Sequence, residues 1–216
     1  YKRQDQYQFA WYAYGKDYHD LMKTRLTALQ AYISAHSPLP LQSRVFCDTA
    51  PVLERYWAYR AGLGWIGKNT QLIIPHAGSC FFLGELFLDM EVDEYDQPQK
   101  NRCGNCTRCI QACPTKALEA PFLLNSRRCL SYLTIENRDA IPLLEGKKMG
   151  NKIYGCDECQ KACPWNKFAT PCQAPDLQPT ELFMQMEKED WHTLTEEQYR
   201  TCLLYTSPSP RDTERS

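Results

Sequence analysis

The sequence predicts an α+β protein in two parts, an upstream α/β domain followed by a smaller cysteine-rich domain. Three observations carry this. Helical and strand-like patterns alternate over the first hundred residues, the polar stretch Glu91 to Lys100 interrupts them, and eight closely spaced cysteines occupy the segment from Cys103 to Cys163. A chain of 216 residues, 43% of them hydrophobic, can bury one ordinary core with a small satellite. The expected division is 1–97 for the upstream domain, 98–170 for the cysteine-rich domain, and 171–201 for the start of a helical region. Residues 202–216 resemble a translated sequencing adapter, and the absence of an initial Met suggests that residues precede Tyr1.

In chain order, Tyr18, Leu21, Met22, Leu26, Leu29, Tyr32 and Ile33 recur at three-to-four spacing, so an amphipathic helix is expected from Lys16 to His36, stopped by Ser37-Pro38. Arg44 to Asp48 reads as a short buried strand that delivers Asp48 at its end. Pro51 suits the first turn of a helix over Val52 to Ala61, closed by Gly62. Thr70–Ile74 and Cys80–Met90 read as two strands of a hairpin joined by Pro75 to Ser79. Gly62-Leu-Gly-Trp-Ile-Gly67 spells a dinucleotide fingerprint, but it follows a helix and precedes a strand, the reverse of the required order. A loop at Gly67-Lys68-Asn69 is the better reading.

The formal net charge of -1 provides no overall field for nucleic acid or an anionic membrane. No run of apolar residues is long enough to span a bilayer. A cytoplasmic protein without a membrane partner is expected, and in that reducing compartment twelve cysteines point to metal rather than disulfides.

Cys103, Cys106, Cys109 and Cys113, the last followed by Pro114, fit the C-x2-C-x2-C-x3-C-P run of bacterial two-cluster ferredoxins. The tight spacing lets one loop wrap a 4Fe-4S cubane while the fourth cysteine turns toward a second one. Cys156, Cys159 and Cys163-Pro164 repeat the last three cysteines of the pattern, and Cys129 can supply the missing ligand. Crossed as in ferredoxins, Cys103, Cys106, Cys109 and Cys163 would hold one cluster, and Cys113, Cys129, Cys156 and Cys159 the other. Zinc ribbons would need paired C-x2-C knuckles and leave the x3-C-P ending without a role. Cys47, Cys80 and Cys172 stand outside this pattern.

Asp48-Thr-Ala-Pro-Val-Leu-Glu-Arg55, Gly62 to Asn69, Tyr12 to His19, Phe82-Leu-Gly-Glu-Leu86 and Arg128 to Glu136, in this order relative to the cluster runs, closely resemble the epoxyqueuosine reductase family. The resemblance runs from about Tyr12 to Trp165. It implies a cobalamin-binding upstream domain, two 4Fe-4S clusters that feed electrons to cobalt, and removal of the epoxide oxygen of epoxyqueuosine at the wobble position of tRNA to give queuosine. It makes Asp48 the catalytic acid, with burial beside the corrin expected to raise its pKa. From the residues alone, Asp48 reads as a helix cap rather than an acid. The resemblance also makes Tyr12, Asp48, Gly67, Lys68, Ser131, Tyr132 and Asp157 cobalamin contacts, although by position Ser131, Tyr132 and Asp157 could instead tune the clusters by hydrogen bonding. His19 has no assigned role. No protein His ligand to cobalt is expected.

Arg127, Arg128, Arg138, Lys147, Lys148 and Lys152 make the second-cluster region locally basic, which suits a tRNA stem-loop, although Glu136, Asp139 and Glu145 lie among them. The expected partners are tRNA bearing epoxyqueuosine and a separate electron donor, and the expected state is a monomer. A two-cluster electron carrier and a reductive dehalogenase-like corrinoid enzyme are the rival readings. The first leaves the upstream hundred residues without a task, and the second uses a Tyr acid rather than an Asp in this setting.

Overall fold

A 19-residue helix and a set of very short strands organise the upstream half. The computed structural model describes residues 6–195 and 197. After β1 (Gln8–Phe9) and a 3-10 turn at Trp11–Tyr14, helix α1 spans Tyr18–His36. Asp17 caps it, its carboxylate accepting the backbone N–H of His19 at 2.8 Å. Ser37 ends it in extended backbone, as the following Pro38 favours.

β2 (Ser43–Phe46) pairs antiparallel with β5 (Glu85–Leu88), Phe46 lying opposite Glu85. α1 packs on this ribbon. Gly84 allows the close approach, since a Cβ there would meet Leu26 Cδ1 at 2.7 Å and Met22 Cε at 3.1 Å. A two-stranded ribbon covers only part of the apolar stripe of the helix, so Leu29 and Tyr32 remain exposed. α2 (Glu54–Arg60) follows the Asp48 turn, with Leu53 at its N-cap and Pro51 outside it, and starts two residues later than expected. β3 (Trp65–Ile66) and β4 (Leu72–Ile73) then form a small antiparallel pair.

The hairpin expected between 70–74 and 80–90 is not formed. Residues 75–79 make a tight turn bridged at Ile74 and Gly78, and the two segments part to pair with β3 and β2 respectively. Gly78, at φ +89°, packs against Asn166, whose Oδ1 accepts the Ser79 N–H at 2.6 Å.

In the cysteine-rich half, α3 (Arg108–Ala112) packs on α6 (Glu158–Lys161), which pairs the two cysteine runs. β6 (Leu118–Ala120), β7 (Leu123–Leu124), α4 (Leu130–Ile135), α5 (Leu143–Gly146) and β8 (Lys152–Tyr154) connect them. β8 reaches back to pair in parallel with β1. The Phe9 ring sits 4.9 Å from Phe183 in α7 (Glu181–Gln185) and 4.7 Å from Trp191 in α8 (Lys188–His192). The segments before and after residue 97 therefore share a core. No helix among the described residues is long and apolar enough to cross a membrane, and the adapter-like segment 202–216 lies outside them.

Candidate functional site

The seven cysteines of the two runs, together with Cys129, influence one another in two main neighbourhoods. Burial raises the Cys109 thiol, and Cys163, Cys103 and Cys106 raise it further. Cys163 in turn is raised by burial and then by Cys103 and Cys106. Burial pushes Cys159 up to about 12, with Cys156, Cys129, Cys113 and then Cys109 adding to it. Cys156 likewise feels Cys129. Cys103, Cys106 and Cys163 thus influence Cys109, while Cys156, Cys129 and Cys113 influence Cys159, and Cys109 packs close to Cys159 between them.

Cys113 moves the other way. Burial raises it, but hydrogen bonds outweigh that, among them the Ala117 N–H at 3.2 Å from Sγ. Donors aimed at a sulfur stabilise thiolate. The eleven described cysteines are all free. Among the described residues no three His, Cys, Asp or Glu side chains converge closely enough for a single ion. Four thiolates on one zinc would stand ~3.8 Å apart, whereas a cubane needs them spread around a larger body. The donor chemistry, eight thiols with no histidine among them, fits two 4Fe-4S clusters.

Asp48 leaves β2 at φ +53° on a sharp turn. Its backbone N–H is taken by the Glu54 side chain, so Asp48 is not the cap of α2. The Asp48 carboxylate points to the start of α1. Oδ2 accepts the Tyr18 hydroxyl at 2.7 Å and lies 3.5 Å from His19 Nε2, while the side chain stays 51% exposed. The expected upward shift of its pKa is therefore corrected. The hydrogen bond to His19 pulls it down, burial opposes, and Tyr18 and Arg55 help to hold it below the usual carboxylate range. The carboxyls that rise are its neighbours. Burial raises Glu54, and it lifts Glu85 to about 7 with Glu54 and Asp48 adding to the effect. Tyr18 stacks on Phe82 at 4.1 Å and meets Tyr12 edge-on at 6.2 Å, giving the carboxylate an aromatic wall.

Of the remaining expected contacts, Lys68 and Asp157 bridge the two halves. Lys68 Nζ donates to the carbonyls of Gly104 at 2.5 Å and Cys106 at 3.0 Å, inside the first cysteine wrap. A Cβ on Gly67 would meet Ile73 at 2.6 Å and Asn69 at 2.7 Å, so the turn is closely packed there. Asp157 is buried and accepts the Trp11 N–H at 2.8 Å, joining the second run to the segment before α1. Ser131 and Tyr132 sit in the first turn of α4, directly after Cys129. An open cleft of about 1070 Å3 borders the first set of thiols, with Trp11, Cys106, Arg108, Lys161, Cys163 and Lys167 among its walls.

Of the basic residues near the second set, Arg128 is engaged by Glu145 at 3.5 Å and by the Thr115 carbonyl at 2.8 Å, and Lys152 by Glu158 at 3.7 Å. Arg127, Lys147 and Lys148 are exposed. Sequence reasoning left out His19 and Asp17. The available signal was an Asp at a helix N-cap with a His two residues on, which brings both side chains to one helix end.

Comparison with known proteins decides the family. Residues 102–166 match the 4Fe-4S double cluster binding domain, and residues 1–49 match the model described as Epoxyqueuosine reductase QueG, DUF1730. An epoxyqueuosine reductase of Xanthomonas campestris is 54% identical over 166 residues, 77% of this chain and 46% of that protein. The chain belongs to the epoxyqueuosine reductase family. It spans about half the length of the curated relatives it matches. A crystal structure of epoxyqueuosine reductase with an epoxyqueuosine-modified tRNA-Tyr stem loop superposes with a TM-score of 0.87 at 29% identity, over 98% of this chain and 57% of that one. The reductase from Bacillus subtilis, with its aspartate-bearing catalytic loop swung out of the active site, superposes at 0.86 with 28% identity, over 98% and 57%. Within this family, the cysteine-rich half matches the double-cluster module.

Proposed function

We propose that this chain carries the reductive core of an epoxyqueuosine reductase, converting epoxyqueuosine to queuosine in tRNA in the cytoplasm. Residues 1–97 would form the cobalamin-binding part, 98–170 the ferredoxin-like part, and 171–201 the start of a helical region. The observation that carries the reading is the pairing of two crossed cysteine tetrads with a half-exposed carboxylate on an aromatic-walled turn in one family-matched chain. Cys103, Cys106, Cys109 and Cys163 would hold one 4Fe-4S cluster, and Cys113, Cys129, Cys156 and Cys159 the other.

The Asp48 turn fits a flat macrocycle in one respect, since the Tyr12, Tyr18 and Phe82 rings give it an aromatic wall beside an open carboxylate. Tyr12, Asp48, Gly67, Lys68, Ser131, Tyr132 and Asp157 would line the cobalamin. When bound, the clusters supply single electrons from a separate donor, and cobalamin supplies the cobalt that passes them to carbon. This chain's own residues do the rest. Asp48 Oδ2 delivers a proton to the departing epoxide oxygen, Glu54 holds the Asp48 backbone in place, and Asp157 and Lys68 fix the seam between the two halves. The catalytic loop that swings out in the Bacillus subtilis enzyme suggests that the Asp48 turn moves as substrate enters. The exposed Arg127, Lys147 and Lys148 would meet tRNA phosphates.

The test is anaerobic reconstitution with iron, sulfide and cobalamin, followed by incubation with an epoxyqueuosine-bearing tRNA stem loop and mass analysis of the nucleoside. About eight irons and one cobalt per chain, with loss of one oxygen from the base, is the expected result. About eight irons, no cobalt and an unchanged base would instead leave a two-cluster electron carrier.

A further inference from the structure

An unbroken row of charged groups runs from Asp17 through His19 to Asp48. His19 is 4% exposed in the first turn of α1. Its Nδ1 lies 2.7 Å from Asp17 Oδ1, and its Nε2 lies 3.5 Å from Asp48 Oδ2. The ring is stacked on Tyr18 at 4.1 Å, and Tyr18 itself donates to the same Asp48 oxygen. The imidazole is thus fixed at both nitrogens and over one face. An ionised carboxylate only accepts hydrogen bonds, so Nδ1 is the donor toward Asp17, and a second proton on Nε2 would face Asp48. The proton missing from Asp48 has an address one bond away.

We propose, resting on the reductive reading above, that His19 is the positioning residue that reloads Asp48 with the proton Asp48 gives to the substrate oxygen, and that Asp17 holds the imidazole in register for it. Loss of an epoxide oxygen as water takes two electrons and two protons and leaves the two carbons doubly bonded. The electrons come from the donor through the clusters. For each proton, the Nε2–H bond of His19 breaks as an Oδ2–H bond forms on Asp48, and that bond breaks in turn as the substrate O–H forms. His19 is left neutral with Nδ1–H on Asp17 and takes its next proton from water. A distance of 3.5 Å is long for direct transfer, and catalytic hydrogen bonds commonly tighten when substrate binds.

The other charges facing this row act on its ends. Glu54, Glu85 and Arg55 surround Asp48, and Asp17 and Asp48 are the carboxylates on His19. Burial works against charge on His19, yet the bonds to Asp48 and Asp17 prevail and raise its pKa above the ordinary value.

Two measurements on the reconstituted protein test this. The chain has four histidines, so histidine-labelled NMR gives four imidazole titrations, and His19→Gln identifies one of them. The His19 titration is expected above the ordinary histidine range, falling in Asp48→Asn and in Asp17→Asn while the other three stay in place. Asp17→Asn retains a good N-cap and so keeps the helix. In single-turnover reduction of the stem loop, the wild-type rate should fall as pH rises through the His19 titration. Asp17→Asn should shift that limb to lower pH, and His19→Gln should lose about 100-fold, at the low end for a positioned proton donor. A His19 titration indifferent to Asp48→Asn, or a His19→Gln protein with wild-type rate and pH limb, overturns the proposal. A wild-type protein that reduces no epoxide overturns both readings, and is told apart from failure of the relay alone because in that case the wild type turns over.

Discussion

Lys68→Met should loosen one cluster and spare the other. The Lys68 ammonium donates to the carbonyls of Gly104 and Cys106, both in the loop that would wrap the first cluster, and the Lys68 carbonyl accepts the Phe122 N–H at 3.0 Å. Met keeps the length and packing of the stem and removes only the donors. A hydrogen bond to a charged group is worth about 1.5–3 kcal/mol net. With two such bonds at a partly exposed site, solvent replacing part of each, one bond's worth is the fair expectation for the pair. If the loop must open before iron leaves, about 1.5–3 kcal/mol corresponds to roughly 10- to 100-fold faster release. The assay is iron transfer to a colourless chelator under anaerobic conditions, followed by the absorbance of the complex. Release should become biphasic, with about four of eight irons in the fast phase. A single phase at the wild-type rate, or equal acceleration of all the iron, would refute the tether.

Other consequences can be checked on the same preparation. Asp48→Asn should leave cluster absorbance and cobalamin content intact while lowering epoxide reduction by about 10²–10⁴-fold, the range for a positioned proton donor. Asp157→Ala removes the acceptor of the part-buried Trp11 N–H, at a cost of about 1 kcal/mol, which in thermal denaturation is about 2–4 °C for a chain of this size. Glu85 has a folded pKa of about 7, above its unfolded value, so the folded state holds the extra proton between the two. Stability should therefore fall as pH rises from the unfolded carboxylate range toward 7, by about 1–2 kcal/mol once solvent screening of this partly exposed carboxyl is allowed for. Glu85→Gln should flatten that slope in chemical denaturation at a series of pH values, and an unchanged slope would show that Glu85 is ionised throughout.

What could be read in advance depended on the range of the interaction involved. The cysteine spacing is a local constraint, since three thiols within seven residues can wrap one body, and the fourth ligand of each set follows from the cross-over rule. α1 is legible for the same reason, its period and its stop at Ser37-Pro38 being contained in its own residues. The hairpin over 70–90 was misread because both segments carry strand character, yet their partners lie elsewhere. β5 reaches back some forty residues to β2, and β4 pairs with β3 just upstream. The β1–β8 pairing joins residues about 145 positions apart through only two or three residues on each side, too few to leave a periodic signature.

The site itself divides in the same way. The motif singles out Asp48, but the expected upward shift of its pKa weighs burial alone. Half-exposed, and bonded to a tyrosine hydroxyl and a histidine, a carboxylate is stabilised as the anion. The groups that burial does raise, Glu54 and Glu85, carry no motif of their own beyond their neighbours'. On the proposed reading, an acid that rests as an anion must take up a proton before each turnover, and the structure places His19 on one side of Asp48 and the raised carboxyl of Glu85 near it. If His19→Gln abolishes turnover while Glu85→Gln leaves it unchanged, the proton enters along α1. The opposite pattern would place its entry along β5.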